Sequence, residues 1–214
     1  MIDTEWWYIP TVIVVILISV VLHELAHGLA AHWLGDDTAK HSGRLTLNPL
    51  KHIDWYMSVL LPVMLAIVGG PIFGGAKPVP INTMKLKWGE WGFALVAIAG
   101  PLTNFLLAFV GYVVLFLTNM EVGSWGWMAF YLFTLINVGF MVFNLIPIPP
   151  LDGSRVVYAL APDFIRRYML QIENFGIIIV LAIVLLSGNA FGQVLDWARF
   201  GILDFFQILL SPFA

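Results

Sequence analysis

The chain has 214 residues, 60% of them hydrophobic and only 11% charged, with a mean hydropathy of +0.91. A soluble domain of this length carries about a quarter charged residues, so the composition excludes a soluble fold, points to an integral membrane protein throughout and leaves no room for an appended soluble domain. A formal net charge of −3 excludes nucleic acid as a partner, and the absence of cysteine excludes disulfides and thiolate metal ligands.

The N-terminus, Met1-Ile2-Asp3-Thr4-Glu5, is acidic, which argues against a cleavable signal peptide. The first apolar run, near 9–34, is long enough for a bilayer core of about 30 Å, yet it contains His23-Glu24-Leu25-Ala26-His27. Two imidazoles and a carboxylate in a lipid-embedded helix are costly and need a physical reason. Residues i and i+4 stack on one helical face, so His23 and His27 can grip a single metal ion. Glu24 is rotated by about 100° from His23, where it can act on a metal-activated water rather than serve as a ligand.

A polar segment follows, in which Gly43-Arg44-Leu45-Thr46-Leu47 reads as a short extended stretch. His32 is read as structural, and His41 and His52 as solvated. The run 55–74 is apolar but contains Pro62 and Gly69-Gly70-Pro71. Residues 77–82 read as a second extended stretch, whose prolines at 78 and 80 bar a central strand but permit an edge. Further spans are expected near 91–118, 127–150 and 170–187. The last apolar run, near 197–210, lies among Asp196, Arg199 and Asp204, and either sits at the interface or spans poorly. Trp and Tyr residues cluster at the run ends as an aromatic belt.

Basic residues set the topology. Lys40, Arg44 and Lys51, then Lys77, Lys85 and Lys87, then Arg155, Arg166 and Arg167 fall in connections 35–54, 75–90 and 151–169. The positive-inside rule puts these in the cytoplasm and the N-terminus outside. Both ends of 55–74 then lie on one side, which makes that run re-entrant and broken at its Pro and Gly residues. The rival reading, a full span, sends Lys77, Lys85 and Lys87 outside. The expected fold is an all-α polytopic membrane protein, one membrane-embedded domain over 1–214. It has a three-helix catalytic core (9–155), C-terminal flanking helices (156–214), the re-entrant segment and short membrane-associated β-strands.

A catalytic zinc usually takes three protein ligands and one water. Asp152, in Asn144-Leu145-Ile146-Pro147-Ile148-Pro149-Pro150-Leu151-Asp152-Gly153, closes an apolar run at its cytoplasmic end. An Asp-Gly pair alone is a turn. Its match in depth with His23 and His27 makes Asp152 the expected third ligand of one Zn2+ ion. Asn104 is either an amide bonding between helices or a group of the catalytic site. Gly100-Pro101 either kinks its helix or lets it pack closely on the histidine helix.

With His23-Glu24-x-x-His27, Gly100-Pro101-x-x-Asn104 and Asn144-x-x-Pro147-x-Pro149-x-Leu151-Asp152-Gly153 in this order, the chain resembles the site-2 protease family of intramembrane metalloproteases. It looks most like compact prokaryotic members that lack PDZ and CBS domains. The resemblance implies peptide-bond hydrolysis in transmembrane segments, in regulated intramembrane proteolysis or in clearance of membrane remnants. Glu24 would be the general base, and Asn104 and Asn144 substrate or oxyanion contacts, Asn144 pairing with the unwound substrate backbone. The implied partners are a transmembrane substrate protein and the lipid bilayer, and the implied place is the cell membrane with the site near its cytoplasmic face. A helical substrate hides its amides and must unwind; residues 77–82, or the tip of 55–74, are the candidate edge for receiving it by β-addition. The competing readings are a non-proteolytic membrane chaperone or scaffold and a metal transporter that retain the fold.

Overall fold

A computed structural model of the protein describes residues 6–60, 64, 75–187 and 189–213. The first helix, α1, runs Tyr8–Trp33. Ile9, Ile13 and Val14 are exposed along it, as expected of a helix whose solvent is hydrocarbon. Its end is closed by two backbone bonds, Gly35 N–H to the His32 carbonyl and Asp36 N–H to the Ala31 carbonyl. This hydrogen-bond pair needs a left-handed residue, supplied by Gly35 at φ +102°. The turn drives Asp36 inward, where it is fully buried. One helical turn, α2 (Thr38–His41), follows.

The next long helices are α3 (Glu90–Thr118) and α4 (Trp125–Asn144), and α3 packs against both α1 and α4. Its buried face holds Ala97, Gly100, Asn104, Ala108 and Gly111, small or polar residues three or four apart that permit close approach. Among the described residues α1, α3 and α4 are the helices long and apolar enough to cross a membrane singly. The protein is thus a multi-pass membrane protein. Trp6, Trp33, Trp88, Trp91 and Trp125, at or beside the ends of these helices, are exposed.

Several expectations are corrected. The span expected over 127–150 ends at Asn144, because Pro147, Pro149 and Pro150 cannot continue a helix. The chain then folds back through short turns, with Ile148 N–H on the Ile146 carbonyl and Leu151 N–H on the Ile148 carbonyl, into α5 (Asp152–Leu160). The run expected to span over 170–187 holds the end of α6 (Asp163–Glu173) and all of α7 (Gly176–Leu186), two helices bent by 79° that together are apolar enough for one broken span or a re-entrant loop. Arg155 forks onto Glu173 and holds the end of α6 beside α5, while Gly176 sits against the Pro149 carbonyl, where a Cβ would lie 2.6 Å away. α7 is therefore about 16 Å long, half the hydrocarbon thickness.

The last helix, α8 (Asn189–Leu210), is longer than its apolar run. It seats a fully buried Phe206 against Phe105, Phe109 and Tyr112 of α3 and the core at Ala108 and Val138. No strand occurs among the described residues, so the membrane β-strands are not found. Residues 43–47 form turns and bends, and 77–82 are irregular. Trp55–Leu60 is a short π-helical stretch; residues 61–63 and 65–74 of the expected re-entrant run lie outside the described residues.

Candidate metal centre

His23 and His27 project from one face of α1 toward α3, both buried. The room for two rings is made by Gly100. A Cβ there would lie 2.4 Å from His27 Nε2 and 2.6 Å from His23 Cε1. The alternative left open by Gly100-Pro101 is settled for Gly100 in favour of close packing on the histidine helix.

The return from α4 into α5 brings Asp152 to the same place. The two Nε2 atoms are 3.0 Å apart, and Asp152 Oδ2 is 3.2 Å from that of His23 and 3.4 Å from that of His27. A tetrahedral ion with bonds of about 2.0–2.1 Å holds its ligands about 3.3 Å apart, so this triangle has the dimensions of one zinc-sized site. Oδ2 of Asp152 is buried and makes no hydrogen bond of good geometry. An orphaned carboxylate oxygen beside two converging imidazole nitrogens is a donor set for a metal ion. His23, His27 and Asp152 are a group that can hold one.

The far sides of the rings fix the tautomers. His27 Nδ1 donates to the Val96 carbonyl at 2.7 Å. His23 Nδ1 donates to Asn104 Oδ1 at 2.5 Å. That amide orientation is propagated from a backbone group. Asn137 Nδ2 donates to the Phe133 carbonyl and to Ser19 Oγ, both at 2.8 Å, which turns Asn137 Oδ1 toward Asn104 Nδ2, 2.8 Å away. Ser19 Oγ in turn donates to the Val15 carbonyl. Both imidazoles therefore carry a proton on Nδ1, which leaves Nε2 of each as the ring nitrogen that faces its neighbour and the carboxylate. A cation relieves that arrangement, and the outer hydrogen bonds orient the ligands that receive it.

Glu24 is half-buried, and its Oε2 accepts the Val79 N–H at 3.0 Å. Asn104 is fully buried between helices, bonded to His23. Asn144 is not drawn into the group; its amide donates to the Phe140 carbonyl of its own helix at 3.0 Å. His32 pairs with Asp37 at 2.5 Å, and His41 is exposed. His52, expected in solvent, is instead buried, with Nε2 donating to the Thr46 carbonyl at 2.9 Å. Sequence reasoning missed Asn137 and Ser19. Their one available signal was polarity inside an apolar span.

The profile of Peptidase family M50 matches residues 11–124 and 119–187. The chain is similar to "Putative zinc metalloprotease YwhC" of Bacillus subtilis, with 37% identity over 95% of this chain and 94% of that protein. It is also similar to "Putative zinc metalloprotease Rip2" of Mycolicibacterium smegmatis, with 32% identity over 83% of this chain and 69% of that protein. Rip2 of Mycobacterium tuberculosis is 30% identical over the same shares, 83% and 69%. No solved structure matches the chain. With both stretches of the family profile and its histidine pair seated beside Asp152, the chain belongs to Peptidase family M50, the site-2 proteases.

Proposed function

We propose that this protein is a zinc-dependent intramembrane endopeptidase, a single membrane-embedded domain that cuts peptide bonds in the transmembrane segments of other membrane proteins. The observation that carries the reading is the convergence of His23 Nε2, His27 Nε2 and Asp152 Oδ2 within 3.4 Å of one another, with Glu24 next to His23 on the same helix. A bound zinc ion supplies Lewis acidity that lowers the pKa of a water to about 7 and polarises a carbonyl. Glu24 takes the proton of the attacking water and returns it to the leaving amine. Asn104 holds the His23 ring, and Asn144, at the end of α4, pairs with the unwound substrate backbone. The lysines and arginines of the connections support a site near the cytoplasmic face and an N-terminus outside.

The test is cleavage of a panel of single-span substrates by purified, reconstituted protein. Wild type is expected to cleave and to hold one zinc. Glu24→Gln is expected to keep the zinc and lose cleavage, and a chelated sample to recover both on adding zinc back. Zinc-loaded wild type that cleaves nothing refutes the reading.

A further inference from the structure

Residues 77–82 were the candidate edge for an incoming substrate, and their hydrogen bonds point elsewhere. Pro78 and Pro80 have no N–H to offer. Lys77 N–H donates to the His52 carbonyl at 2.8 Å, and Asn82 N–H to Asp36 Oδ2 at 2.6 Å. Val79 N–H donates to Glu24 Oε2. Of the six residues, only the N–H of Ile81 lies outside these bonds, so the segment has little with which to receive a strand.

The segment is instead a strap across α1, fastened at both ends by buried charges. The Arg44 guanidinium, 6% exposed, donates to the carbonyls of Lys51, Lys77 and Pro78. Asp36, fully buried, accepts from Asn82 N–H and from the Thr38 N–H and hydroxyl. Charge-assisted bonds of this kind are about twice as strong as neutral ones, and neither charge has another evident use. Between the two fastenings Val79 is buried, 6% exposed, with its amide on the catalytic carboxylate.

We infer that the strap 77–82 is a positioning element for Glu24, with the Val79 backbone N–H as the group that acts. A glutamate beside a wet site has several rotamers and two equivalent oxygens. A fixed donor on Oε2 selects one rotamer and leaves Oε1 free for the water proton. Arg44 and Asp36 serve the reaction at one remove, by setting where that donor stands. The inference rests on the proposed role of Glu24 as general base.

The test exchanges one backbone N–H for an oxygen, which removes the donor to Glu24 and weakens the Pro78 carbonyl as an acceptor for Arg44. Replacing the Val79 residue by its α-hydroxy analogue turns the amide into an ester and keeps the side chain; the same exchange at Ile81, whose N–H does not reach Glu24, is the control. The Val79 ester is expected to lower kcat about 10–100-fold, with KM and zinc content unchanged, and the Ile81 ester to behave as wild type. Independently of turnover, hydrogen exchange over 77–82 reads few amides, because two residues are proline. Glu24→Ala is expected to speed exchange at Val79. An active wild type whose Val79 ester is equally fast overturns the inference and leaves the protease reading standing. So does a Val79 ester that is faster than wild type, which would make the strap a block on Glu24. Wild type that cleaves nothing overturns the protease reading itself, and the role with it.

Discussion

Gly100→Ala adds one methyl group at the most crowded point of the site. The new carbon would stand 2.4 Å from His27 Nε2 and 2.6 Å from the Cε1 atoms of both histidines. Ordinary contacts of this kind lie near 3.5 Å, so the rings must retreat by about 1 Å. They cannot retreat alone. Their Nδ1 atoms are tied to Asn104 and to the Val96 carbonyl, both on α3, the helix that carries the new methyl. A ligand set tolerates about 0.5 Å of displacement, and a 1 Å error costs about 100-fold. Alanine is the better helix former by about 1 kcal/mol, so α3 itself is not weakened. The expected outcome is zinc affinity lowered about 100-fold in chelator competition, with kcat/KM falling in step and helical content unchanged. Zinc affinity within twofold of wild type would refute the geometry argued for Gly100.

Asn137→Ala, which touches neither ligand nor substrate, is expected to loosen the Asn104–His23 bond and weaken zinc binding about 10–100-fold, read in the same competition assay. It also strips the bonded oxygen from a buried amide, at a cost of about 1–3 kcal/mol in unfolding experiments. Asp36 offers a pH test. Burial pushes its carboxyl up, and the bonds from Thr38 and Asn82 outweigh that and hold it below the usual range. A carboxyl lowered in the folded protein adds stability above its unfolded pKa, about 4, and loses it as pH falls through the folded value. Asp36→Asn should therefore lower the melting temperature at pH 7, with the gap to wild type closing below about pH 4. Phe206→Ala should free α8 from α3 and α4, seen as faster proteolysis of the C-terminus. Its cost should stay under the about 3–5 kcal/mol of a soluble core, because lipid tails replace the lost contacts.

The candidate metal ligands were legible because their signals are local or topological. His23 and His27 are set by helical spacing, and Asp152 by the depth at which its run ends. Groups linked across the fold left no such trace. Asn137 and Ser19 are 118 positions apart, and each alone reads as a stray polar residue in a span. The β-strands failed for a physical reason. A strand needs a partner ladder, and three of the four donors that proline leaves in 77–82 go to His52, Glu24 and Asp36. The bend at 174–175 was hidden for a related reason: hydropathy sees an unbroken apolar run, while the turn is set by the Arg155–Glu173 pair and by Gly176 meeting the Pro149 backbone.

The central claim is that His23, His27 and Asp152 hold one zinc ion inside the membrane domain. X-ray absorption at the zinc edge of purified wild type tests it most directly. The account predicts one zinc per chain, with nitrogen and oxygen neighbours at about 2.0–2.1 Å, two of them imidazole, and loss of one imidazole in His27→Ala. A spectrum without imidazole, or one unchanged by His27→Ala, would contradict it.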